Sequence, residues 1–121
     1  MDEGIESRKI IHNILKLIKI DSLTYDESFI KLLSNKDINT LNKKFIHNTV
    51  LTAVRNFIAV KKIILDLSPT IDQDSDSFFI LLSAITQLLY LKMKKYAVVN
   101  STVELSKKKE ILTSHKFING C

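Results

Sequence analysis

Five side chains near the amino terminus, Arg8, Lys9, His12, Lys16 and Lys19, recur at intervals of one to four residues. At helical pitch they gather toward one side, and a row of point charges so spaced can track a phosphate backbone. Ser7 adds a hydroxyl at the same helix start. An ordinary solvated helix face has the same pattern, and residue type alone leaves both readings open. Lys92, Lys94 and Lys95, with Lys107, Lys108 and Lys109, form a second cationic patch if the segments that carry them meet. His115-Lys116 stands at a helix start, where backbone N–H groups favour an anion, although a capping role explains it equally well. Tyr96 and Phe117 have rings on which unpaired bases could stack, but both fit better as core residues.

Bond-making chemistry is poorly provided for. His12, His47 and His115 have no partner at nucleophile or metal spacing, and Cys121 is the one cysteine, so neither an internal disulfide nor a zinc cluster is encoded. Asn100-Ser101-Thr102 spells a glycosylation acceptor, which a helical position in a cytosolic chain makes coincidental. Only Gly4, Gly120 and Pro69 represent the turn-forming residues, which disfavours sheets and phosphate-cradling loops. The acidic start lacks a secretory pattern, and the longest apolar stretch, Phe78 to Leu91, is 14 residues and interrupted by Ser83, Thr86 and Gln87. The expected setting is the cytosol, with no membrane partner. A net charge of +5, from 18 Lys+Arg against 13 Asp+Glu, suits a polyanion, although abundant lysine alone makes a chain basic.

Helical periodicity dominates the elements that must position these groups. At 121 residues the chain is one domain, residues 1–121. A first helix is predicted from Ile5 to Ile20, with Ile11, Ile14, Leu15 and Ile18 inward and Arg8, His12, Lys16 and Lys19 on the opposite, basic side. Thr24-x-x-Glu27 reads as a capping box for a short helix that turns Phe29, Leu32 and Leu33 inward and ends near Ser34-Asn35. From Asp37 to Leu67 no Gly or Pro interrupts an apolar stripe from Leu41 through Phe45, Val50, Val54, Phe57, Ile58 and Ile64 to Leu65. That run predicts two consecutive helices with a bend between Asn48 and Asn56, ended by Ser68-Pro69. The acidic segment Asp72 to Asp76 suits the start of a central helix from Ser77 to Lys92, apolar nearly all round. After Lys92 to Lys95 comes a helix to Lys108 that buries Val99, Val103 and Tyr96, and Thr113 or Ser114 caps a last helix that is cut short at Cys121.

Three blocks near the end, Ala97-Val98-Val99-Asn100, Val103-Glu104-Leu105-Ser106-Lys107 and Ser114-His115-Lys116-Phe117-Ile118-Asn119-Gly120, resemble the NusB/RsmB family. Upstream, Gln87-Leu88-Leu89-Tyr90-Leu91 and Thr52-Ala53-Val54-Arg55 look like the NusB-like amino-terminal domain of RsmB-type ribosomal RNA cytosine-C5 methyltransferases. The arginine run of the transcription-factor branch is reduced here to Arg8-Lys9, Ser101 stands at a family glutamate, Lys61 at a usual aspartate, and a proline expected near Lys94 is missing.

The resemblance implies an all-α NusB-like domain of six to seven helices in two subdomains, the last truncated. It implies RNA as partner, either small-subunit ribosomal RNA or its leader, and not DNA, with a ribosomal protein as a possible second partner. The contact residues it suggests are Ser7, Arg8, Lys9, His12, Lys16, Lys19, Arg55, Lys94, Lys95, Lys107, Lys108, His115 and Lys116. Reversing Arg8, Lys9 and Lys16 to Glu is then expected to abolish binding while helix content stays unchanged. No catalytic site is expected in this chain; S-adenosylmethionine would belong to a missing carboxy-terminal domain. A free-standing antitermination factor is the alternative, and a helical protein-interaction module a second.

Overall fold

The structure, a computed structural model, describes residues 3–33 and 38–107. All the secondary structure among them is helical: α1 (Glu3–Lys19), α2 (Tyr25–Leu33), α3 (Thr40–Arg55), α4 (Phe57–Leu67), α5 (Asp76–Leu89) and α6 (Lys95–Ser106). Each boundary has a local cause. Thr24 and Glu27 close the expected capping box, with the Glu27 N–H on Thr24 Oγ1 and the Thr24 N–H on Glu27 Oε1, both at 3.1 Å. Asn39 caps α3 by accepting the Asn42 N–H at 2.8 Å, and Ser75 caps α5 through the Phe78 N–H at 3.2 Å. The expected bend falls at Asn56, whose φ of −110° and ψ of 20° leave the helical region while its side-chain amide donates to the Thr52 carbonyl at 2.9 Å. The expected capped helix after Thr113 lies outside the described residues.

Two helices organise the core. α5 packs against α1, α3, α4 and α6, and α1 packs against α2, α3, α5 and α6. Phe78, Phe79, Ile80, Leu81 and Leu82 are buried in consecutive positions of α5, facing Ile11, Ile14 and Leu15 of α1, Ile46 and Val50 of α3, and Val60 and Ile64 of α4. Burial of each large side chain is worth about 1.5–3 kcal/mol, so an apolar stretch of this length is stable only at the centre of the domain.

One register differs from the sequence reading. In α6 the residues turned inward are Val98, Thr102, Leu105 and Ser106, with the expected Val103 half-buried against the core, while Val99 is 38% and Tyr96 83% exposed. α6 carries apolar residues on more than one side, so periodicity did not single out the buried face. Likewise Leu41, Val54 and Ile58, read as part of the inward stripe, lie on the outside.

Two turns share one construction. After α1 the Leu23 N–H reaches back to the Leu17 carbonyl and Ser22 has φ 58°; after α5 the Met93 N–H reaches back to the Gln87 carbonyl and Lys92 has φ 51°. Both stop a helix with a left-handed residue where glycine is the usual choice.

Candidate nucleic-acid interface

The basic side of α1 is not on the surface. Ser7, Arg8 and His12 are 3%, 6% and 0% exposed. The cause is α5, which carries Asp76, Ser83 and Gln87 at spacings of seven and four, a polar stripe in an otherwise apolar helix. Arg8 Nε donates to Gln87 Oε1 at 2.9 Å, its guanidinium also donates to the Gly4 carbonyl at 3.1 Å and lies 5.2 Å from the Phe45 ring centroid, and Gln87 passes a hydrogen bond on to Ser83 Oγ at 2.9 Å. His12 Nε2 and Lys16 Nζ lie 2.9 and 2.6 Å from the same Asp76 oxygen. The carboxylate accepts a hydrogen bond from the N–H at His12 Nε2, and the buried Nδ1 has no hydrogen-bond partner. Burial pushes the His12 pKa below 6.5 against the opposing pull of Asp76.

These placements correct the sequence reading: Arg8, His12 and the half-buried Lys16 join α1 to α5 and do not form a solvent-facing row. Reversal of Arg8 or Lys16 would set a carboxylate against Gln87 or Asp76, so those two substitutions are expected to cost stability as well as any binding. Lys9 is half-buried.

Lys19 alone of that row is carried clear. At the last turn of α1 its ammonium sits 3.9 Å from the centroid of Phe57, and Arg55, Asn56, Ile58 and Lys62 complete an open depression of about 600 Å³. No acidic side chain lines it. The structure thus brings together two of the expected residues, Lys19 and Arg55, from segments that the sequence left unrelated. It separates others: Lys94 and Lys95 begin α6 while Lys107 follows its end, about 18 Å away at 1.5 Å per residue. Lys108, His115 and Lys116 lie outside the described residues.

The depression is one end of a longer cationic face that sequence reading missed. Between Asp37 and Asp66 the chain has no Asp or Glu, yet it carries Lys43, Lys44, Arg55, Lys61 and Lys62. All five are exposed except Lys61, which is half-buried. Lys44, Asn48, Leu51 and Arg55 fall within about 60° of one another around α3. The missing signal was an absence of acids over two helices, which a search for clustered cations does not register.

Other chemistry is not assembled. Among the described residues no group of His, Cys, Asp and Glu is placed to hold a metal ion, and no helix is long and apolar enough to cross a membrane. Tyr25 and His47 share an exposed hydrogen bond of 2.5 Å, and burial raises the Tyr25 pKa to about 12, so that hydroxyl stays protonated.

The described residues form an all-helical scaffold with a basic face on α3 and α4, and comparison with known proteins places it further. The NusB family profile matches residues 5–121, and the chain belongs to that family. No curated protein matches the sequence. The fold is similar to a chain of a solved structure described as "Crystal Structure of a Plectonemic RNA Supercoil", with a TM-score of 0.86 and 24% identity over 99% of this chain and 91% of that one.

Proposed function

We propose that this chain binds RNA through the α3–α4 face and the depression at its end, as the NusB-like domain of a ribosomal RNA cytosine-C5 methyltransferase. The observation that carries the RNA reading is the convergence of Lys19, Arg55 and Lys62 on one depression without acidic lining, on the same side of α3 as Lys44. Lysines and arginines that neutralise phosphates release counterions, so the affinity comes chiefly from this face and falls as salt rises. Membership of the NusB family and the RNA named in the description of the similar structure support the same partner. Arg55 and the Gln87 to Leu91 block, which resemble the methyltransferase branch, support the finer reading.

The described residues do not suit S-adenosylmethionine. Their one glycine, Gly4, lies within α1 and gives its carbonyl to Arg8, so no glycine-rich turn is formed to admit a cofactor. In this reading the cofactor belongs to a further domain of the enzyme, and this chain contributes only grip on the substrate. A free-standing antitermination factor is the second reading, supported by membership of the NusB family.

Fluorescence anisotropy with a small-subunit ribosomal RNA fragment tests the proposal. Lys44→Glu, Arg55→Glu and Lys62→Glu together should lower affinity about 100-fold or more with unchanged helix content; unchanged affinity would remove the site. Methyl transfer by this chain alone would overturn the non-catalytic reading. Tighter binding to leader RNA than to mature ribosomal RNA would favour the antitermination factor.

A further inference from the structure

We infer that the α3 face is built for double-helical RNA, lying across the shallow groove with its two cation clusters on the two phosphate strands. The inference rests on the RNA reading above and adds the form of the ligand. Lys43 and Lys44 lie in the first half of α3; Lys19, Arg55 and Lys62 cluster beyond its end. Lys44 and Arg55 are eleven residues apart, about 16 Å along the helix axis. The interval is uncharged, carrying exposed Asn48 and half-buried Leu51 and Thr52.

That spacing suits a duplex better than a strand. With about one phosphate every 3.4 Å of stacked strand, a single strand lying along α3 would pass about four phosphates opposite no cation. An A-form duplex instead offers a wide, shallow groove rimmed by phosphates and floored by 2′-hydroxyls. Two cationic ends and a short amide between them match that profile, with Asn48 placed to donate to or accept from a 2′-hydroxyl.

The aromatic residues agree. Single-strand binders stack bases on open rings, yet the rings near this face are engaged. Phe57 is covered by the Lys19 ammonium, Phe45 faces the Arg8 guanidinium, and Tyr25 packs against Phe29 and His47 at centroid distances of 5.6 and 5.3 Å. The exposed tyrosines, Tyr90 and Tyr96, belong to the end of α5 and to α6.

The test compares a short RNA duplex, a DNA duplex of the same sequence and the single RNA strand, by anisotropy across a salt series. The RNA duplex should bind at least tenfold tighter than either competitor. Asn48→Ala should erase most of the RNA-over-DNA preference while leaving the salt slope unchanged, whereas Lys44→Ala and Arg55→Ala should each lower the slope by about one. Equal or tighter binding of the single strand overturns the inference, as does a preference that survives Asn48→Ala. Failure of the wild-type chain to bind any of the three would instead overturn the RNA reading on which the inference stands.

Discussion

α1 and α3 are both basic amphipathic helices, yet their cations do opposite work. On α1, Arg8, His12 and Lys16 meet Gln87 and Asp76 and are spent on joining two helices. On α3, Lys43, Lys44 and Arg55 face solvent. What separates them lies on a third helix: α5 presents Asp76, Ser83 and Gln87 to α1 and apolar side chains elsewhere. A basic face is therefore a surface only when no polar stripe elsewhere in the chain is cut to match it.

The contrast can be broken from either side, and the largest effect is expected in the buried network. Asp76→Ala removes the acceptor shared by His12 and Lys16 and should cost about 3 kcal/mol in urea unfolding. Lys44→Ala, on the exposed side, should stay within about 0.5 kcal/mol. If both cost the same, the division of labour between the helices is wrong.

Acid provides a second probe. The folded His12 pKa lies below 6.5, so the unfolded chain binds more protons as pH falls through that value. The stabilisation is therefore complete above pH 6.5 and is lost progressively as pH drops toward the folded pKa. A His12→Gln variant, even if less stable overall, should show a flatter stability profile just below pH 6.5 in urea unfolding across a pH series.

Smaller effects lie in the two turns. Thr24 and Glu27 cap α2, but Lys94 begins α6 with no side-chain cap. Lys94→Ser should thus stabilise by about 1 kcal/mol, and Thr24→Ala should destabilise by a similar amount. Ser22→Gly and Lys92→Gly relieve left-handed backbone at non-glycine residues and should each raise stability by about 0.5 kcal/mol in thermal unfolding, after the entropy cost of glycine.

These elements also show where the sequence was readable. Helices α1 to α5 and the break near Asn56 followed from periodicity, caps and Pro69, because each depends on neighbours in the chain. The inward face of α6 did not, because Tyr96, Val98, Val99 and Val103 offer apolar groups on more than one side and only packing chooses among them. The site was half legible. Arg55 and Lys19 were identified singly, but their meeting depends on how α1 ends against the α3–α4 joint. Arg8 and His12 were misplaced because a polar residue at helical spacing looks the same whether it faces water or a partner such as Gln87 or Asp76, 79 and 64 positions later. The match of spacings between Arg8, His12 and Lys16 and the polar positions of α5 was present in the sequence as a pairing, not as a local motif.

That pairing also sets a schedule for the chain as it is made. Arg8 cannot meet Gln87 until 79 further residues have been joined, which takes roughly 4–16 s at translation rates of about 5–20 residues per second. Throughout that interval the first helix has a polar side whose partners do not yet exist, so the domain closes late, when α5 emerges, rather than from its amino terminus onward.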